Sequence, residues 1–352
     1  MSGLLDTPHA RREPLAAIVA TLRDCRHALL TTHVNADGDG AGCQAAVAAW
    51  LASEGKRVSI VNPTPFPDSY RYLIDRPEQI ANPGGVAAAE AMASADVVVV
   101  LDTGEPRRIG RVAAALAGKK VLVIDHHLRS DPGIGGLVLQ DTSACATGEL
   151  VYDLIQTAGL ARPWTSPLVH GIYTAVVTDT GSFRFSNTTP RAHAIAGDLI
   201  GQGVDPEAMY RRIFATVPLR RIELLRHALA TLEVDGELPL TWITIERDVM
   251  ERLEAGSDDL EGVVEHARSI EGTEVALLFR ETADGSTKVS FRSAGDVDVN
   301  AIARRFGGGG HVKASGALLN EPLERGRTRV LEATREALRG AGLGLRPESD
   351  RN

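Results

Sequence analysis

The chain has 352 residues, 43% of them hydrophobic and 24% charged, with a formal net charge of -8. That length suits two domains, each with a core of its own. The acidic balance argues against a binder of long nucleic acid, and the lack of any apolar run of about 18 residues argues against a membrane span. Cys25, Cys43 and Cys145 form no Cys-x-x-Cys pair and suggest no disulfide framework, so a reducing cytoplasm is the expected setting. The N-terminal segment lacks the continuous apolar stretch of a signal peptide.

In chain order, "LAAIVATLRDC" reads as a helix, "HALLTT" as a strand and "GAGCQAAVAAWLASEG" as a second helix stopped by Gly55. "VSIVN" (58–62) is a short strand. "ADVVVVLD" (95–102) and "KVLVID" (120–125) are continuously apolar, as strands covered on both faces are. Helical patterns lie between them, "RIGRVAAALAG" among them. The expected fold is α/β, doubly wound around a mainly parallel sheet. From Thr142 to about Leu232 the pattern is mostly helical, with a connector broken near Pro218. Turn residues cluster in "EVDGELP", so a linker is expected at 233–239, closing a first domain over 1–232. Beyond it "LTWITIERD", "TEVALLFRE" and "STKVSFRS" read as strands, the last two joined as a hairpin through "TADG". "DVNAIARRF" reads as a helix and "ASGALL" as a strand, giving a smaller α+β domain over 240–345. The polar tail "LRPESDRN" is expected to be loose.

Ligands of open α/β sheets sit at the carboxyl ends of the strands. After "ALLTT" come His33, Asp37 and Asp39; after "VVVV" comes Asp102; after "VLVI" come Asp125, His126 and His127. Asp179 ends the helical "YTAVVT". Alone, each Asp reads as a turn or cap residue; Asp39, for one, suits a cap for a helix starting at Gly40. Together they are carboxylates and imidazoles crowded beyond the needs of one ion, and two divalent metals sharing a carboxylate would absorb them. A second motif, "RRFGGGGHVKASGA", places four glycines before His311, a backbone able to approach a phosphate closely. Arg292 ends a strand in the same half, and Arg184 in "GSFRFS" is a weaker candidate.

These residues resemble the DHH phosphoesterase family. "DHH" stands at Asp125–His127, "HVNADGD" is similar to the first family motif, "VVLDTGE" to the second and "TDTGSFRFSNTT" to the fourth. The C-terminal "GGGGHVKASG", with "FRS" and "DVNAIARRFGG" upstream, resembles the DHH-associated domain. The two-domain layout resembles the bacterial nano-RNA exonucleases, which degrade very short oligoribonucleotides and in many cases dephosphorylate 3'-phosphoadenosine 5'-phosphate (pAp). The resemblance implies two divalent ions, Mn²⁺ first, with Mg²⁺, Co²⁺ or Fe²⁺ as alternatives. His33 and Asp37 would hold one ion, Asp39, His126 and Asp179 the other, with Asp102 bridging. Asp102, His126 and His127 would be the catalytic residues, His127 facing the scissile phosphate with Asp125 supporting an imidazole. Arg292, Ser293, Gly308, Gly309, Gly310, His311, Ser315 and Arg184 would bind substrate, in a cleft between the domains. The family also implies a homodimer. Two departures stand out: Ala36 replaces the usual Pro of the first motif, and Cys43, expected to pack, replaces a commoner Ser. Alternatives are a phosphodiesterase for cyclic di-AMP or pApA and a non-catalytic nucleotide sensor; the filled ligand positions argue against the sensor.

Overall fold

The computed structural model describes residues 3–128 and 132–344; the tail expected to be loose lies outside them, as does the final residue of the expected 240–345 domain. The chain divides into two compact units, one ending at Thr216 and one beginning at Val217.

The first unit is built on six parallel strands: β1 (His27–Thr31), β2 (Arg57–Val61), β3 (Ile80–Ala81), β4 (Val97–Leu101), β5 (Lys120–Asp125) and β6 (Leu137–Gln140), in the order β3-β2-β1-β4-β5-β6. In β4, Val97, Val99 and Leu101 face one apolar layer while Val98 and Val100 face the other. Every residue of β4 is buried, so a continuous apolar run is what such a strand requires. The thicker layer contains helices His9–Asp24, Gly38–Ser53, Thr147–Thr157, Ser166–Asp179 and Pro190–Gly201. The thinner one contains helix Val86–Ser94 and a 3-10 turn, Gly110–Leu116. That turn replaces the α-helix expected from "RIGRVAAALAG"; Gly110 and Gly118, at φ of 49° and 71°, bound a segment too short to settle into α geometry.

Helices Gly38–Ser53 and Ser166–Asp179 cross where Gly42 meets Gly171. A Cβ on Gly42 would lie 2.3 Å from Gly171 O, and one on Gly171 would lie 2.5 Å from Gly42 O. The backbones touch because neither residue has a side chain.

The second unit carries β7 (Glu233–Val234), β8 (Leu240–Ile245), β9 (Val275–Glu281), β10 (Thr287–Ser293), β11 (Gly309–His311) and β12 (Ala314–Leu319), in the order β11-β12-β10-β9-β8-β7. Only β8 and β9 pair in parallel. Helices Val299–Arg304 and Leu323–Gly340 pack on one face, through Val299, Ile302, Val330 and Leu338 against Leu277, Phe279, Val289 and Phe291. Helices Leu219–Ala230 and Val263–Arg268 pack on the other, against Ile243, Ile245, Ala276 and Leu278. That packing moves the division to 216/217, upstream of the expected linker at 233–239. Leu224 and Ala228, read as part of a connector in the first domain, are core residues of the second unit. The chain does break at Pro218, which precedes helix Leu219–Ala230. Among the described residues no helix is long and apolar enough to cross a membrane.

Candidate metal centre

The strand order reverses between β1 and β4, leaving a crevice beyond their carboxyl ends. His33 follows β1, Asp102 follows β4, and Asp125 ends β5 with His126 and His127 behind it. Helix Ser166–Asp179 delivers Asp179 as its last residue.

Asp37, not Asp39, caps helix Gly38–Ser53. Its Oδ1 accepts from the amides of Asp39 and Gly40, both at 3.1 Å, while Oδ2 lies 3.6 Å from His33 Nε2. Asp39 falls inside the first turn, 1% exposed. Its oxygens accept from Thr147 N at 2.7 Å and Gly148 N at 2.9 Å, the first two residues of helix Thr147–Thr157. A buried carboxylate is therefore met by the positive end of a helix. Cys43 does more than pack: its Sγ donates to Asp39 Oδ1 at 3.3 Å.

Asp102 sits at φ 62°, a left-handed conformation that Asp tolerates better than most residues. Its Oδ2 is 3.2 Å from His33 Nε2, and its Oδ1 is 3.7 Å from His126 Nε2. His127 Nδ1 also lies 3.7 Å from Oδ1, so one carboxylate faces three histidines, with Thr147 Oγ1 donating to Oδ1 at 2.9 Å.

His126 Nε2 is buried and has no hydrogen-bond partner. Around it stand Asp179 Oδ2 at 3.6 Å, Asp102 Oδ1 at 3.7 Å and Asp39 Oδ2 at 3.8 Å. Those separations are too long for hydrogen bonds. They suit donors around one ion, since ligands bound at about 2.0–2.2 Å stand about 3–4 Å from one another. The histidine tautomers agree: Nδ1 faces Val34 O at 2.8 Å in His33 and Ala144 O at 3.4 Å in His126. That leaves His126 Nε2 unpartnered and turns His33 Nε2 toward Asp102 and Asp37. The donors fall into a His33, Asp37, Asp102 set and an Asp39, His126, Asp179 set, with Asp102, His126 and His127 also within mutual reach.

Without an ion the carboxylates strain against each other. Burial, then the charges of Asp102, Asp179 and Asp37, raise the Asp39 pKa well above the usual carboxylate range. Burial and Asp102 push Asp179 up to about 6, although His126 pulls it down. For His33, burial favours the neutral ring, but hydrogen bonds and charge from Asp102 and Asp37 prevail and raise it to about 10. A carboxyl whose pKa is raised in the fold favours the fold while protonated. Asp179 therefore costs metal-free stability as pH rises from about 4 through about 6, Asp39 adds a cost of the same sign, and a divalent cation cancels both. At pH 7.5, Mn²⁺ at about a hundred times its Kd should add about 2.7 kcal/mol, or about 5–10 °C in melting temperature over EDTA-treated protein. The gain should shrink at pH 5, and Asp39→Asn should lose most of it. Melting curves indifferent to Mn²⁺ at pH 7.5 would overturn the centre.

Asp125 stands behind His127, its Oδ1 accepting from the backbone N at 3.1 Å and from ring Nδ1 at 2.8 Å. Arg184 is exposed in a left-handed turn formed by Gly181, Ser182 and Phe183, its Nε bonded to Gly181 O at 2.6 Å. In the second unit, Arg292 Nε bonds Glu265 Oε1 at 3.1 Å. Ser293 is buried with its hydroxyl on Gly295 O, and Ser315 Oγ donates to His311 O at 2.8 Å. The glycine run leads into a strand: Gly309 and Gly310 belong to β11, and just before them the chain lies so close to β12 that a Cβ on Gly308 would meet Gly316 O at 2.1 Å. Gly310, at φ 147°, is similarly closed off by Ala314 O at 2.5 Å. Close approach by a neighbouring strand accounts for both glycines.

Sequence reasoning missed Thr147 and Gly148, whose amides carry no side-chain signature. It also missed Asn187, inside the quoted "TDTGSFRFSNTT", whose Nδ2 bonds Asp179 Oδ2 at 3.2 Å and Cys145 O at 2.8 Å.

Comparison with known proteins places residues 27–176 in register with the N-terminal domain of the DHH family and residues 248–340 with the DHHA1 domain. A bifunctional oligoribonuclease and PAP phosphatase, NrnA, of Thermus thermophilus is 34% identical over 89% of this chain and 90% of its own length. The protein of the same name from Bacillus subtilis is 30% identical over 82% and 88%. An exopolyphosphatase-related protein from Bacteroides fragilis superposes with a TM-score of 0.84 at 25% identity, covering 93% of this chain and 96% of that one.

Proposed function

The chain belongs to the DHH family, hydrolases of phosphoester bonds that depend on divalent metal, and from that premise we propose that it degrades oligoribonucleotides of two to five nucleotides and removes the 3'-phosphate of pAp. The observation that carries this reading is the two ligand sets meeting at Asp102. Two relatives named for both activities match it along most of its length. The net charge of -8 agrees with a short ligand, because a long strand needs a basic track.

In this reading His33 and Asp37 would hold one divalent cation and Asp39, His126 and Asp179 a second, with Asp102 available to both and Mn²⁺ the preferred ion. Bound there, the cations supply positive charge against the phosphoryl oxygens and lower the pKa of a water nucleophile. The protein's own part in proton transfer falls to His127. Asp125, whose hydrogen bond to Nδ1 is the chief cause, raises the pKa of that imidazole and fixes its tautomer. The ring then carries a proton at Nε2 that it gives to the leaving 3'-oxygen. Arg292, His311 and the Gly308–Gly310 backbone hold the substrate's terminal phosphate or base.

The test offers purified protein with Mn²⁺ a dimer, a trimer and a 20-mer of RNA, together with pAp, pApA, cyclic di-AMP and pyrophosphate. The short RNAs and pAp should lead in kcat/KM; a 20-mer cut as fast as the dimer refutes the length preference. His127→Asn should lower kcat by about 10²–10⁴-fold while the Mn²⁺ effect on melting survives.

A further inference from the structure

Arg280 of β9 and Lys288 of β10 stand directly opposite each other in the antiparallel pair. Like charges at that position repel and weaken a sheet. A nearby carboxylate would relieve them, but among the described residues neither cation forms an ion pair. The Arg280 side chain has one hydrogen bond, from Nη1 to Ser257 Oγ at 3.1 Å, and the Lys288 side chain has none among the described residues. The alternation of β10 puts Ser290 and Arg292 on the same face as Lys288. Arg292 does reach a carboxylate, Glu265, yet Glu265 is shared with Arg268 at 2.5 Å.

These side chains border one cavity of about 210 Å³, lined by Arg280, Lys288, Ser290, Arg292 and Ser257. Its one carboxylate, Glu261, makes no ion pair with any of the three cations. Partial burial lowers the pKa of Arg280; burial, followed by the charge of Arg280, lowers that of Lys288. The sheet therefore bears a repulsion that an anion in the cavity would convert into attraction. Lys288 and Arg292 are about 13 Å apart along the strand, too far for one phosphate to span and about two phosphate steps along an extended RNA strand.

We propose that the Arg280–Lys288 end of this cavity is a second phosphate subsite, occupied by the backbone of an oligoribonucleotide and left empty by a mononucleotide. The inference rests on the nuclease reading above and adds to it the residues that sense substrate length.

The test compares wild type, Lys288→Gln, Arg280→Gln and Lys288→Arg on pAp and on a pentaribonucleotide, at low and moderate salt. Both Gln variants should raise KM for the pentamer about tenfold, the worth of one charge-assisted hydrogen bond, with kcat unchanged and the salt dependence shallower. KM for pAp should stay within about twofold, and Lys288→Arg should keep pentamer binding. Anisotropy of a labelled pentamer in EDTA, where hydrolysis is arrested, should show the same loss of affinity. Equal changes for pAp and pentamer, or none for either, overturn the subsite. Wild type that binds the pentamer and turns over neither substrate sinks the nuclease reading and leaves the subsite standing. The Gln variants should melt no lower than wild type, because each removes a repulsive pair.

Discussion

Replacing His126 with Ala should lower kcat by at least about 10³-fold and remove one divalent ion per chain. His126 Nε2 is buried without a hydrogen-bond partner, and three carboxylates surround it at 3.6–3.8 Å. An imidazole held that way has no structural use for its lone pair. Loss of a mere supporting contact to a metal ligand costs about 10–100-fold, so loss of the ligand itself costs more. Asp179→Ala should behave alike, because the same donor set is broken from the opposite side. The measurements are turnover of a dinucleotide under saturating Mn²⁺ and metal content by mass spectrometry. Full activity in either variant would refute the centre. Low activity with full metal content would move His126 to a direct role on the phosphate.

Arg11→Met should unfold the protein more readily, by about 3–5 kcal/mol. Arg11 is 3% exposed and holds three carboxylates: Asp141 at 2.6 Å, Glu149 at 2.7 Å and Asp153 at 2.9 Å. Arg191 also reaches Glu149, at 3.2 Å, and Asp153. Removing Arg11 leaves the buried acids with one guanidinium, an uncompensated charge that apolar packing by Met does not neutralise. The denaturation midpoint in urea reads the loss, and a change under about 1 kcal/mol would contradict it. The effect should reach the metal centre as well. Glu149 Oε2 accepts from Cys145 N at 3.1 Å, just before the Thr147 and Gly148 amides that hold Asp39. Mn²⁺ affinity should therefore fall in the variant even at temperatures where it stays folded. Arg11→Lys should recover little, since a single ammonium cannot span three acceptors that a guanidinium fork reaches.

Arg11 shows where sequence reading stops. In "PHARREP" it is one charge among several on an N-terminal helix, and nothing local marks it as buried. Its partners lie 130 to 142 residues away, a separation that only the fold closes. The gathering of the six proposed metal ligands could be expected from the sequence for the opposite reason. Each ends or follows a strand or helix whose pattern is strong, such as Val97–Leu101, and the topology of an open parallel sheet then sends those ends to one edge. Strands β3, β6 and β11, with two, four and three residues, are too short for any pattern to accumulate. The domain division was misplaced because turn residues at 233–239 mark a tight connection between β7 and β8 within one sheet. The glycine run in "GGGGH" was visible, but the same spacing serves a tight strand pair as well as a phosphate cradle, and only coordinates reveal the strand.

The contact of Gly42 with Gly171 gives the centre a lever. Asp39 lies three residues from that crossing and Asp179 eight, about 4.5 Å and about 12 Å along their helices. A small tilt at the crossing therefore moves Asp179 further than Asp39 and opens or narrows the gap between them. The spacing between Asp39 and Asp179 is thus sensitive to a point that lies near one of them and far from the other, held by two residues that contribute no side chain at all. One methyl group added there would meet a backbone oxygen at 2.3 or 2.5 Å and force the two helices apart.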